Sequence, residues 1–338
     1  MPVTTLRTQT LRAEAERIAE NVLFPAAGAV DRSDRLPVGH LDRLAEAGLY
    51  GLAAPPDEGG LEPDDLIGAG AIVEALAGGC LATTFVWLQH HTPVRAAAAS
   101  DRPGVRETWL RSLARGEQRA GIALAGLRNP TAPLRVRAVD GGFRLDGEAP
   151  WVTGWDLIDV VYVAARDADD VVHFLLVDAV AAQTLRVRPL ELVAVQASRT
   201  VNVRFNDHPV PVDRLVATQP FDDWSRGDAS GSALNGFLAL GVADRCLRLL
   251  GPAGDGALAR ELPACRSDLV AAGAAQTPAA RAAGSELAWR AAARLAVATG
   301  SRAVLLDHPA QRLLREAAFL LVFGSRPAIR DELLARLR

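Results

Sequence analysis

The sequence predicts an α+β fold whose helices and strands are segregated along the chain, and three observations carry that prediction. Residues 1–118, and again those from about Ser230 onward, place apolar side chains at helical spacing. Between them, residues 119–215 break into short runs rich in Val, Leu and Phe, punctuated by Gly, Asp, Asn and Pro. No Gly-x-Gly-x-x-Gly follows a strand, and strand and helix do not alternate, so a doubly wound nucleotide fold is disfavoured. The expected organisation is an N-terminal helical domain over 1–118, a middle antiparallel β-sheet or barrel domain over 119–218, and a C-terminal helical bundle over 219–338.

Each element has its local reason. Leu41–Leu52, Leu66–Leu76 and the Ala-rich stretch from Leu81 read as helices, interrupted by PPDEGGLEPDD, whose Pro and Gly cannot sit inside one. GIALAG, GFRLDGEA, DVVYVAAR, VVHFLLVDA, TLRVRPLE and TVNVRFNDHPV read as strands, with DGG at 140–142 and DADD at 167–170 as hairpin connections. ALNGFLALGVADRCLRLL, AARAAGSELAWRAAARLAVATG and AQRLLREAAFLLVFG return to helix, with GPAGDG at 251–256 as a break and RDELLARLR as a short amphipathic end. No internal repeat is present.

Composition excludes several functions. At 338 residues and 49% hydrophobic content the chain can bury a sizeable core and is not disordered. A net charge of −3 without a basic block argues against nucleic acid. All 37 cationic residues are arginine, which rules out a Schiff-base or phosphate-loop lysine. Cys80, Cys246 and Cys265 are scattered, so they read as reduced, buried thiols; no metal site is expected. The charged, helical first residues do not form a signal peptide, and no apolar run reaches the length of a membrane span. The expectation is a soluble cytoplasmic protein without membrane contact.

Four stretches, in order, resemble the acyl-CoA dehydrogenase superfamily of flavoenzymes. LAEAGLYGLAAPPDEGGLEPDDL (44–66) is similar to its N-terminal helix, Pro, acid, Gly-Gly segment. GEAPWVTGWDLIDVVYVAAR (147–166) resembles its middle-domain Gly-x-Lys-x-Trp-Ile-Thr-Asn and strand. RFNDHPVPVDRLV (204–216) resembles the strand and loop that close the β domain, and DHPAQRLLREAAFLLVFG (307–324) the last bundle helix. The resemblance implies FAD as cofactor, an acyl-CoA or related small molecule as substrate, and a homodimer or homotetramer, with a heteromeric partner as an alternative. It implies a flavin-dependent oxidoreductase acting on a CH–CH group of an acyl thioester. A flavin monooxygenase of the same fold and a non-catalytic subunit remain alternatives.

By that resemblance Trp151, Val152 and Thr153 lie against the flavin ring, which needs an aromatic or apolar wall and a few donors. On composition alone a Trp at a strand end and a Thr in a turn is the preferred explanation, and it is the resemblance that reverses the preference. Trp155 has no such warrant and reads as packing. The loop 123–133 implies further flavin contacts at Leu124 and Thr131, although the usual Ser and acid have become other residues. The α-proton of a thioester must be taken by a base. The usual Glu is absent, since Phe323-Gly324-Ser325 stands where Tyr-Glu-Gly would be. Another branch carries its base near Gly231, where the nearest acid is Asp228; a helix N-terminal carboxylate favoured by the macrodipole is the alternative reading. His91, of the pair His90-His91, is the other candidate catalytic group, a neutral acid or base near pH 7. Its alternative is one core and one surface histidine at adjacent helical positions. Glu316 and Arg315 read as salt-bridged packing. The pyrophosphate motif is reduced to Gly300 and Arg302 in ATGSRAVLLDHP.

Overall fold

The computed structural model describes residues 5–62, 65–229, 231–251, 256–324 and 326–338. The N-terminal helices are α1 (Leu6–Ile18), α2 (Phe24–Asp31), α3 (Val38–Glu46), α4 (Leu66–Gly79), α5 (Leu81–Gln89), α6 (His91–Ala99) and α7 (Arg111–Ala114). Thr5 caps α1 by accepting from the Thr8 N–H, and Asp65 caps α4 by accepting from the Gly68 N–H at 2.8 Å. A π-helical turn, Ala19–Leu23, joins α1 to α2. The Pro-Gly loop predicted after residue 54 holds a single tight turn, Pro56–Glu58, and Gly59 follows it at φ +91°.

The middle strands are β1 (Ala120–Ala123), β2 (Arg135–Val139), β3 (Gly142–Val152), β4 (Val160–Arg166), β5 (Val171–Asp178), β6 (Leu185–Pro189), β7 (Val201–Pro211) and β8 (Leu215–Pro220). They form one sheet in the order β6-β7-β3-β2-β4-β5-β8, with β1 beside β4. Most pairs are antiparallel, as the short alternating runs predict. The sheet is nevertheless mixed, because β1 runs parallel to β4 and β2 touches β4 in parallel at Arg135 and Arg166. The hairpin loops at 140–142 and 167–170 are both present: Val139 pairs with Gly142, and Asp167 Oδ1 accepts from the Asp169 and Val171 N–H groups at 2.9 Å. One face buries Leu145, Val152, Val163, Leu175 and Phe205 against each other. The other buries Tyr162, Phe174 and Leu176 under Val94, Trp109 and Leu113 of the helical layer.

The C-terminal helices are α8 (Phe221–Ala229), α9 (Gly236–Leu250), α10 (Gly256–Ala271), α11 (Thr277–Thr299), α12 (Pro309–Val322) and α13 (Pro327–Arg336). Of the break expected at 251–256, residues 252–255 lie outside the described residues. α11 is buried through Ala282, Ala288, Ala291 and Ala292, small residues that let α9 and α12 approach. α9 also crosses α4 closely: a Cβ added to Gly241 would fall 2.3 Å from the Glu74 carbonyl. There Arg245 Nε donates to the Gly78 carbonyl at 2.7 Å and its Nη2 meets Glu20 at 2.6 Å, joining the two helical parts into one core. Among the described residues, no helix is long and apolar enough to cross a membrane.

Candidate functional site

β3 carries the segment Trp151–Thr153, and its pairing with β7 explains how the tryptophan is presented. Ala149 faces Val203 and Val152 faces Val201, so β3 spends one more residue than its partner over this stretch. The extra residue is a β-bulge, which re-aims a side chain and ends regular pairing. Trp151 takes φ +62°, unusual for a bulky residue, and its side chain stays 60% exposed while Val152 turns into the sheet core. An exposed indole on strained backbone has no packing explanation. Trp155, four residues on, is buried in the sheet core, as a packing residue would be.

Two residues after the indole begins a chain of buried hydroxyls. Thr153 and Thr200 pair through their Oγ1 atoms at 3.2 Å, and Thr200 pairs with Ser198 Oγ at 2.9 Å. The Gly154 N–H donates to Ser198 O at 2.9 Å and the Trp155 N–H to Arg199 O at 3.1 Å. Sequence reasoning missed Ser198 and Thr200, because QASRT carries no pattern beyond a turn.

The 123–133 loop comes next to this segment. Leu124 follows β1, and a tight turn over Ala125–Arg128 presses Gly126 against β3, where a Cβ would sit 2.7 Å from Glu148 O. Thr131 is exposed, and its N–H and hydroxyl both go to Asn129 Oδ1, at 3.1 and 3.0 Å. The loop thus meets β3 at Glu148 and Ala149, just before Trp151, while Thr131 is tied into its own loop.

Asp228 requires two corrections. It lies in the last turn of α8 rather than the first, so the helix dipole does not favour it. Its carboxylate is also gripped by two guanidinium forks: Arg128 at 2.8 and 2.7 Å, and Arg326 at 2.8 and 2.8 Å. Burial raises its pKa, but the two arginines outweigh burial and hold the carboxyl below its usual range. A carboxylate so held is an ion-pair anchor and a poor base.

The histidine pair is also corrected: both rings are buried, because the chain turns between α5 and α6 at His90. His90 Nε2–H donates to Leu113 O and Nδ1 accepts from the Ala120 N–H, each at 2.9 Å, so its role is to join the helices to β1. Burial, then the neighbouring His91, pushes its pKa down to about 3. His91 Nε2–H donates to Leu49 O at 3.1 Å, burial pushes its pKa down to about 4, and its Nδ1 has no partner. It stands in the wall of a cavity of about 480 Å³ with Leu52, Leu61, Val73, Trp87 and Leu234. A larger cavity of about 730 Å³ between α1, α4, α9 and α10 holds charges already paired, Arg248 with Glu20 at 2.7 Å and Arg266 with Glu74 at 2.5 Å.

Where the resemblance placed a Tyr-Glu pair, the structure has an aromatic cluster. Phe323 stacks on Phe319 at 5.5 Å and meets Phe85 edge-on at 4.9 Å. Ser325 lies outside the described residues. Glu316 pairs with Arg312 in the core at 2.7 Å, and Arg315 with Asp31 at 2.5 Å, so both are packing residues with partners other than each other. Gly300 and Arg302 occupy a short turn after α11, and Arg302 is exposed. The ring half of a flavin fits the groups present: an exposed indole at Trp151 and, two residues on, a hydroxyl at Thr153.

Residues 5–117 match the family model for the acyl-CoA dehydrogenase N-terminal domain. The chain is 26% identical over 261 residues to the short-chain specific acyl-CoA dehydrogenase of Bos taurus, a match covering 71% of this chain and 60% of that protein. It thus spans about 60% of the length of that relative. Butyryl-CoA dehydrogenase from Megasphaera elsdenii has the same fold, with a TM-score of 0.83 at 17% identity over 99% of both chains. So does PigA, solved with FAD and proline, with a TM-score of 0.80 at 19% identity over 100% of this chain and 98% of that one.

Proposed function

We propose that this chain, whose residues 5–117 match the acyl-CoA dehydrogenase N-terminal domain, is a flavin-dependent oxidoreductase of the acyl-CoA dehydrogenase superfamily acting on an acyl thioester or a related acyl substrate. The observation that carries the reading is Trp151, an indole left exposed at a β-bulge two residues before Thr153, whose hydroxyl joins those of Thr200 and Ser198. Trp151 would back the ring, Leu124 and Val152 would flank it, and Thr153 would offer a hydroxyl donor; Thr131 would first have to leave Asn129. FAD, when bound, would supply the hydride-accepting chemistry. The chain's own part is to exclude water through the Phe85, Phe319 and Phe323 cluster and to orient an acyl group beside the indole. His91, neutral with an unpartnered Nδ1, is the one catalytic candidate that keeps a free acceptor.

A second reading, a flavin monooxygenase or oxidase of the same fold, is favoured by one observation. Gly324, which has no side chain, stands at the place of the expected base beside Phe323, and Asp228 is clamped. Chemistry that needs no carboxylate base fits that better. The visible spectrum of the purified chain with and without added FAD tests both readings, and a colourless protein that cannot be reconstituted sinks both. Anaerobic bleaching of the flavin by an acyl-CoA panel supports the dehydrogenase. Failure to bleach, with oxygen consumption through an NADH-driven reductase, supports the second. Trp151→Ala should weaken FAD binding about tenfold or more, roughly 1.4 kcal/mol. Because the indole is 60% exposed, it should leave stability within about 0.5 kcal/mol.

A further inference from the structure

Three arginines converge where the loop after β1, the end of α8 and the turn between α12 and α13 meet. Arg128 and Arg326 close on the two oxygens of Asp228, and Arg326 Nε also donates to the Asp228 carbonyl at 3.1 Å. Arg281, from the first turns of α11, comes in beneath them. Only 4% exposed, it donates to Phe323 O and Gly324 O at 3.2 Å each, and its Nε has no partner. Gly231, at φ +70°, leaves room for it: a Cβ there would lie 2.8 Å from Arg281 Nη1. No salt bridge reaches Arg281 among the described residues.

The charges do not balance. Two guanidiniums share the one carboxylate and the third, Arg281, is buried without a counter-ion, an excess of two positive charges. Burial, then the proximity of Arg326, lowers the Arg281 pKa to about 10, so it remains charged near neutral pH. Packing does not require a buried guanidinium that meets only carbonyl oxygens, since an apolar side chain would fill the space without the desolvation cost. A guanidinium fork is shaped for the two oxygens of a carboxylate or phosphate, and Asp228 shows that such a group fits between two of them here.

We infer that Arg128, Arg281 and Arg326 form a binding subsite for an oxyanion group of a ligand, and that the Asp228 carboxylate is its displaceable internal placeholder. The shared chemistry is a planar or tetrahedral oxyanion, from a carboxylate at the end of an acyl group or from a phosphate. The inference goes beyond the flavin reading and does not need it, since binding is read on the chain without cofactor. A colourless protein that binds oxyanions would sink that reading alone.

The test is calorimetric titration of the chain, of Asp228→Asn and of Arg281→Met with glutarate, with inorganic phosphate and with chloride at matched ionic strength. Removing the placeholder in Asp228→Asn should tighten glutarate or phosphate at least tenfold over the parent. Adding Arg281→Met to it should take that gain away, whereas chloride should respond to neither change. A gain for glutarate assigns the subsite to a carboxylate, and a gain for phosphate alone assigns it to a phosphate. If Asp228→Asn folds and binds neither anion more tightly, or if Arg281→Met leaves its gain intact, the inference is overturned. Should Asp228→Asn fail to fold, thermal shifts decide it. Stabilisation of the parent by either anion, lost in Arg281→Met, supports the subsite, and equal shifts in both overturn it.

Discussion

Thr153→Val keeps the branched shape of the side chain and deletes its hydroxyl, so it separates a turn residue from a flavin contact. In the folded chain that hydroxyl meets Thr200 Oγ1 at 3.2 Å, a long pairing, while Thr200 keeps its closer bond to Ser198 Oγ at 2.9 Å. One neutral hydrogen bond contributes about 1 kcal/mol net. Thr200 is not orphaned by the change, so the expected loss is about 1 kcal/mol, a fall in Tm of about 2 °C for a chain of this size. A hydrogen bond to a charged acceptor contributes about 1.5–3 kcal/mol. If the hydroxyl also donates to the negative charge that a flavin carries on reduction, its loss lowers the two-electron potential by about 30–65 mV. The assay is reductive titration of the FAD-reconstituted parent, Thr153→Val and Thr153→Ser against a reference dye, beside thermal denaturation of each. Thr153→Ser should stay near the parent in both. A Thr153→Val protein whose Tm falls by about 2 °C while its potential stays within about 10 mV refutes the contact and returns Thr153 to the turn.

Three further outcomes follow from the packing. His90 and His91 are neutral when folded, with pKa values near 3 and 4, against about 6.5 in the unfolded chain. The unfolded state then binds more protons between about pH 4 and 6.5, so stability is full above that window and falls as pH drops through it. At pH 5 the pair together removes at most about 4 kcal/mol. Denaturant midpoints across the window should show the slope, and His91→Gln, which keeps a donor for Leu49 O, should remove about half of it. Arg312→Leu leaves the buried Glu316 carboxylate without its partner and should cost about 3–5 kcal/mol in urea unfolding, most of it recovered when Glu316→Leu is added. Gly241→Ala drives a Cβ to 2.3 Å from Glu74 O at the α4–α9 crossing. It should cost about 1–3 kcal/mol by thermal denaturation, and an unchanged Tm would refute the close crossing.

The sequence was most legible where one physical rule dominates. Apolar spacing located Leu66–Leu76 inside α4, and Asp-Gly-Gly marked the β2–β3 turn, because periodicity and turn chemistry are local. It was least legible where the outcome depends on which segments meet. His90 and His91 sit side by side in sequence, and adjacent helical positions should point apart. A turn of the chain at His90 buries both rings, one against β1 and the other against the helical layer. Asp228 offered a carboxylate without its surroundings: Arg128 lies 100 residues away and Arg326 98. No single-sequence pattern announces such a cluster, though a chain whose every cation is arginine hints that guanidinium forks are in use. The bulge at Trp151 was equally hidden, since a β-bulge is defined by the partner strand.

Backbone strain supplies an argument for the site that does not depend on likeness to other proteins. Among the described residues, six that are not glycine take positive φ, and four of them, Trp151, Asp156, Val195 and Arg199, lie in two short segments. Those segments are bound to each other, Gly154 to Ser198 and Trp155 to Arg199 through the backbone, and Arg199 to Asp156 by an ion pair at 2.6 Å. Each such residue costs on the order of 1–3 kcal/mol, and strain of that kind persists only where surrounding contacts over-determine it. If the segment served only to end a strand, relaxed turns would do, and the indole would be free to pack. Instead the strain is concentrated on the one feature that keeps Trp151 uncovered. The position expected to hold a base is Gly324, which has no side chain, next to Phe323 packed against Phe85. The two bound segments thus hold Trp151 exposed on a rigid backbone, which is the presentation that the proposed contact with a flat ring requires.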